Sequence, residues 1–213
     1  MTGRNERAFT MSLTRMVATR LLSMILFTLL LTSCLGRSPD VRHFVLGASS
    51  RSVEVEQAVK VGVLVGPVRL PAYLERSQIA MLEDDGEVVL DEFNRWLGGF
   101  EENFVRAISL SLGRELGSDA VVAAPSKAPF PFDYQVRLHV DDMILDDAGE
   151  LRVRIRWALL PERSETAPGL FVMDESFPSD GRSVVDIVRV HDAALLALVH
   201  RIAEEIARSE STR

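Results

Sequence analysis

Two alternating stretches joined by a short turn constrain this chain more than any other feature. Leu151-Arg-Val-Arg-Ile-Arg-Trp157 puts Leu151, Val153, Ile155 and Trp157 on one side of an extended strand and Arg152, Arg154 and Arg156 on the other. Tyr134 to Leu145 behaves likewise, with Tyr134, Val136, Leu138 and Val140 opposed to Gln135, Arg137, His139 and Asp141. Side chains of a strand alternate with a period of two, so this pattern fits half-buried strands and no amphipathic helix. Asp147-Ala148-Gly149 supplies the turn. The pair reads as an antiparallel hairpin with one face on a core and the other on water or a partner. A row of three arginines is unusual in a chain with 24 basic and 31 acidic residues. It is either a charged outer face that resists edge aggregation or a set of guanidinia that meets acidic residues of a neighbouring subunit or partner. Arginine's planar fork suits the second use better than lysine does.

The other elements follow from shorter signals. His43 to Leu46 reads as a first strand, and Val59 to Val65 as a second, stopped by Gly66-Pro67. Ile79 to Leu82 and Glu87 to Leu90 form a hairpin across Asp84-Asp85-Gly86. Ala120 to Ala123 is a brief strand, and Leu170 to Met173 adds an edge strand. A long helix is predicted over Phe93 to Leu116, where Phe100, Phe104, Ile108, Leu112 and Leu116 recur every fourth residue. Glu101 and Glu102 suit its positive end and Gly117 its C′ position. Trp96 is expected as a packing anchor ahead of it. A second long helix opens at the box Ser183-Val-Val-Asp186 and runs to Arg208, with Leu195, Leu198, Val199, Ile202 and Ile206 as its stripe. Strands, helix, strands, helix give the α+β class: a single domain with a mixed or mainly antiparallel sheet and two long helices packed on it.

The stretch Val63 to Ile79 carries the most specific residues. Pro67 and Pro71 each fix φ and lack a donor, so the segment is expected to leave the sheet after Gly66 as a stiff corner. Leu70, Pro71, Tyr73, Leu74 and Arg76 then either pack as a structural corner or form a contact surface for a partner. The run Gly66-Pro-Val-x-Leu-Pro-x-Tyr-Leu-x-Arg-x-Gln-Ile79, with Trp96 one strand later, resembles the signature of the ABC-type transport auxiliary lipoproteins, the PqiC-like proteins of the paraquat-inducible operon class. The resemblance extends from about His43 to Arg208. Leu97-Gly98-Gly99-Phe100 stands where that family is expected to have a more polar turn.

The N-terminus reads as an export signal. Arg4, Arg7, Arg15 and Arg20 precede the apolar run Leu21 to Leu31, which is about half the ~20 residues a spanning helix needs. Leu31-Thr32-Ser33-Cys34 resembles a bacterial lipobox, which makes Cys34 the lipidated first residue of the mature chain. An ordinary signal peptide with an incidental cysteine is the plainer alternative. Met11 offers a start that leaves a conventional short basic region. Cys34 is the sole cysteine, so an intrachain disulfide is impossible. Leu35 follows it, and by analogy with enteric-type bacteria the absence of an acidic residue there directs the anchor to the outer membrane. The segments expected are a signal peptide over 1–33, a lipidated tether over 34–42, the domain over 43–208 and a disordered tail over 209–213.

Charge and motifs narrow the function. The whole chain is at −7; residues 1–33 hold four basic groups and one acidic, so the remainder is at −10. Such a surface repels phosphate backbones, and nucleic acid is not an expected partner. His43, His139, His191 and His200 make no H-x-x-x-H pair, and neither a nucleophile elbow nor a P-loop is present. His139 with Asp141 and Asp142 is a conceivable divalent site but more simply a solvated strand face. No catalytic residue, metal or cofactor is expected. The resemblance implies a non-enzymatic lipoprotein at the periplasmic face of the outer membrane. Its implied partners are an MCE-domain protein that forms a periplasmic tube and that protein's inner-membrane components. It also implies a role in lipid transport and membrane integrity, and the docking it entails favours a ring-like homo-oligomer. A different reading has the domain itself bind a hydrophobic ligand, in a cavity lined by Trp96 and Trp157 between sheet and helices. A hydrolase would need a polar cleft with perturbed titrating groups.

Overall fold

The alternating stretches pair as their pattern requires. The structure, a computed structural model, describes residues 20, 21, 24, 39–47, 61–125, 131–162 and 168–211. The chain divides into a unit over Met1–Asp40 and one over Val41–Arg213. The second unit runs β1 (Arg42–Phe44), β2 (Val63–Arg69), β3 (Gln78–Leu82), β4 (Val88–Trp96), α1 (Phe100–Leu116), β5 (Val121–Ala123), β6 (Tyr134–Leu145), β7 (Glu150–Pro161), β8 (Gly169–Pro178) and α2 (Val184–Ser211). Cys34 and the lipobox lie outside the described residues, as do Val59 and most of the Gly47–Glu56 connection. Among the described residues no helix is long and apolar enough to cross a membrane.

β6 and β7 form the expected hairpin, with Leu138 opposite Trp157 and Val136 opposite Leu159. Their inward residues are buried, from Val136 and Leu151 to Ile155 and Trp157. The register slips between Val140 and Asp142, so Asp141 is an extra, bulged residue. That slip turns both aspartates toward the arginine face and returns Met143 and Leu145 to the core. β8 extends the sheet antiparallel to β7 and is longer than the edge strand expected at Leu170–Met173.

The sheet is mixed rather than mainly antiparallel. β2 runs parallel to β5 and β6, β1 runs parallel to β4, and β3 meets β6 in parallel at Met81↔Leu145. Parallel pairs are joined by long crossovers and leave no turn signal in the sequence, whereas the β3–β4 hairpin does. A second correction concerns Pro67. The strand does not end at Gly66: β2 continues to Arg69, pairing Val68 with Leu138 and Arg69 with His139. A register shift between Val65 and Val68 absorbs the glycine, whose φ of 117° suits no other residue. β5 pairs only Val63 to Val65, so among the described residues no strand pairs with Pro67 on that side, and its missing donor breaks no ladder bond there.

The first helix also starts later than the predicted Phe93, at the residue where its apolar stripe begins. β4 continues through Phe93 to Trp96, and helix begins at Phe100. Gly98 and Gly99, both at positive φ, separate the two. Trp96 is 2% exposed and meets Phe100 edge-on at 5.4 Å, the anchor that was expected. The every-fourth-residue stripe of α1 is buried from Phe100 to Leu116, and Gly117 closes it in the left-handed conformation. Ser183 caps α2 by accepting the Asp186 N–H at 3.3 Å. That helix runs through Ser211, so residues 209–211 are helical and not a tail. Leu195, Leu198, Val199, Ile202 and Ile206 join the inward residues of the strands and of α1 in one buried apolar cluster.

Candidate functional site

The corner between β2 and β3 is built around a gap in the sheet. β2 lies beside β6 up to His139 and β3 rejoins it at Leu145, so the chain from Leu70 to Ser77 steps away between them. The Met143 N–H, which falls in this gap, donates to the Tyr73 hydroxyl at 2.9 Å. The same hydroxyl donates to Asp142 Oδ1 at 2.7 Å. Tyr73 thus stands in for a missing strand neighbour. Burial, with the Asp142 carboxylate adding to it, pushes the phenol well up, so it keeps its proton. Leu74 N–H closes the turn on Pro71 O at 2.9 Å.

This divides the residues singled out for partner contact. Leu74 is 3% exposed and belongs to the core, which corrects its placement on a docking surface. Leu70 and Tyr73 are half-buried against that core. Ala72, Glu75 and Arg76 remain exposed, with Pro71 partly so. A polar cleft of about 550 Å³ opens beside Arg76, lined also by His43, Arg95, Trp96 and the Gly98-Gly99 turn.

The arginine row meets carboxylates of its own chain. Arg156 grips Asp141 with two bonds, Nε at 2.7 Å and Nη2 at 2.6 Å. Arg154 donates to Asp174 on β8 at 2.8 Å, and Arg152 lies 3.7 Å from Asp142. The Arg156 hydrogen bonds first, then its charge with those of His139 and Arg154, hold the Asp141 carboxyl below its ordinary range. Asp141 is the bulged residue of β6, and its carboxylate is committed to arginine; His139 Nε2 approaches it at 3.4 Å.

Beside this row the outer face of the sheet holds a groove of about 520 Å³ across β2, β6, β7 and β8. Its backing layer is Val68, Leu138 and Trp157, with Trp157 stacked on Phe171 at 4.1 Å. The outward residues are Arg69 and Pro67 on β2, Arg137 and His139 on β6, Arg156 and Ala158 on β7, and Leu170 and Val172 on β8. Trp96 lines the cleft and Trp157 the groove, so the two tryptophans do not share the cavity expected of them.

Sequence reasoning passed over Asn103, which is 2% exposed. Its amide donates to Leu97 O and to Gly99 O, and its Oδ1 accepts the Leu46 N–H at 3.3 Å, tying the glycine turn to the end of β1. Asp192, also buried, accepts the Gly47 N–H at 2.7 Å from the far end of the chain. A polar residue on the apolar stripe of a helix was the available signal in both cases.

Comparisons agree with this architecture. No curated protein matches the chain. The crystal structure of an uncharacterized protein superposes with a TM-score of 0.62 at 16% identity, covering 79% of this chain and 99% of that one. Protein XCC0632 from Xanthomonas campestris, of the DUF330 family, superposes with a TM-score of 0.57 at 14% identity, over 82% and 97% of the two chains. These show a shared fold. A family model described as the ABC-type transport auxiliary lipoprotein component matches residues 44–203, from the end of β1 to well into α2. The span takes in the corner, the arginine row and the groove, and the chain therefore belongs to the ABC-type transport auxiliary lipoprotein family.

Proposed function

We propose that this chain is a non-enzymatic, outer-membrane lipoprotein subunit of an envelope-spanning lipid-transport system. Lipid on Cys34 holds the domain at the periplasmic face. The folded unit docks the distal end of a periplasmic tube made by an MCE-domain protein, as a ring of like subunits, and so supports membrane integrity. The observation that carries this reading is the family match across residues 44–203, because that family is the lipoprotein component of ABC-type transport. The corner supports a docking role: its backbone is pinned by Tyr73, so Arg76 is presented with little ordering cost.

The test is capture of partners by the tagged full-length chain from detergent-solubilised envelopes. Co-purification of an MCE-domain protein is expected. Arg76→Glu is expected to reduce it roughly tenfold or more, the size of a central interface residue, with an unchanged melting temperature. Wild-type protein that captures no MCE-domain partner would refute the docking role. The groove across β2, β6, β7 and β8 favours a second reading, in which the domain itself binds a hydrophobic ligand; its volume is that of a small-molecule site.

A further inference from the structure

The groove has two unlike halves. Strand register places Arg69 and Arg137 on the β2–β6 side and Ala158, Leu170 and Val172 on the β7–β8 side. Neighbouring strands are spaced by ~4.8 Å, so Arg137 and Leu170, two strands apart, stand roughly 10 Å from each other at the backbone. Leu170 is 83% exposed and Val172 55%, far more than the other outward apolar residues of the hairpin region. Among the described residues no acidic side chain lines the groove. Arg156, at its border, is already neutralised by Asp141. Among the described residues Arg137 bonds only the neutral Gln135 Oε1, and no carboxylate pairs with Arg69. Two uncompensated guanidinia beside an exposed apolar strip, in a chain otherwise net negative, match a ligand that is anionic at one end and apolar along its length.

We propose that this groove binds a single-chain anionic amphiphile, with its acid head group between Arg69 and Arg137 and its chain laid over Ala158 toward Leu170 and Val172. The proposal rests on the second reading above and is independent of docking at Arg76. The apolar strip supplies affinity through buried area, and the arginines fix the ligand's direction and select for negative charge.

The experiment uses the full-length lipidated chain in nanodiscs of neutral phosphatidylcholine. Trace palmitic acid bearing a photoactivatable diazirine near its chain end is the probe, and its methyl ester is the neutral counterpart. Crosslinked peptides are mapped by mass spectrometry. The acid is expected to label β7 and β8 around Ala158 to Val172. The paired change Arg69→Gln with Arg137→Gln is expected to lower that yield about tenfold, and raised salt to lower it in wild type. Leu170→Asp with Val172→Asp is expected to lower it similarly. All four side chains are outward, so melting temperatures should match, and the arginine pair alone decides if the aspartate pair fails to fold. Equal labelling by acid and ester overturns the anionic class while the hydrophobic-ligand reading survives. No label on β7 or β8 in wild type overturns both. A β8-to-β8 crosslink between copies in place of the lipid label assigns the strip to a subunit contact and overturns the proposal.

Discussion

Tyr73 was singled out in the sequence for a partner, and its hydroxyl is occupied within the fold. Tyr73→Phe keeps the ring and removes the acceptor of the Met143 N–H and the donor to Asp142. An unsatisfied, part-buried amide costs ~1–3 kcal/mol, so urea unfolding of the variant is expected to show a loss of that size. A loss below about half a kcal/mol would mean that water takes the hydroxyl's place. His191 makes a second residue-scale case. It is 2% exposed, its Nδ1 lies 2.8 Å from Ile187 O, and its ring meets Trp96 at 5.6 Å and Phe100 at 6.1 Å. Burial pushes its pKa down from 6.5 to about 4, against the weaker pull of the Ile187 carbonyl and Asp192. The unfolded chain therefore binds a proton that the folded chain refuses. Stability from this group is full above pH 6.5 and falls as pH drops toward 4, by at most about 3 kcal/mol. His200 works the other way: its bond to Glu115 raises its pKa, so its contribution is present in acid and fades as pH rises, and solvent screens it. His191→Phe removes the titration, and its melting temperature is expected to fall less than that of wild type between pH 6.5 and 4.5.

At the scale of elements, the arginine row tests what an exposed charge ladder contributes. Arg154 bridges β7 to β8 through Asp174, with side chains 57% and 60% exposed. Exposed pairs are worth ~0–1 kcal/mol, so Arg154→Ser is expected to lower unfolding free energy by under about 1 kcal/mol, and by less in high salt. A larger loss would mean that the ladder holds the edge strand in place. The same strands show why some of the fold was legible and some was not. The β6–β7 hairpin could be read because its period of two and its turn are local. Its bulge was also written in the sequence, as two consecutive aspartates after which the apolar phase changes. Parallel pairing of β2 with β5 and β6 was not legible, because it is decided by strands far apart in the chain. The proline rule misled for a geometric reason: Pro67 sits in β2, but past the point where β5 ends. For the candidate site, the sequence read the arginine row as an outward face but left the corner open between packing and contact, and the structure divides it, with Leu74 buried and Arg76 exposed. A corner that steps off the sheet and folds back puts one of its apolar residues in the core, and no periodicity announces which.

At the scale of the whole molecule, the proposed lipid on Cys34 would decide where the domain works. The domain over Val41–Arg213 carries its own buried cluster and, among the described residues, no helix able to cross a membrane. Membership of a lipoprotein family implies a membrane-anchored place in the envelope, and Cys34 is the single thiol the chain has for it. One acyl chain holds a protein only marginally at a bilayer; several hold it firmly. Cys34→Ser is therefore expected to abolish acylation and either release the domain to the soluble periplasmic fraction or leave the precursor unprocessed. Fractionation and intact-mass measurement distinguish these outcomes. A cleaved wild-type chain bearing a free Cys34 thiol would refute lipidation. The variant also separates anchoring from docking, because Arg76 and the corner are unchanged by it. If the released domain still binds a purified MCE-domain partner, the corner acts on its own and the lipid serves to place it. If binding vanishes although the domain melts as wild type does, the membrane itself forms part of the docking surface, and the corner does not suffice.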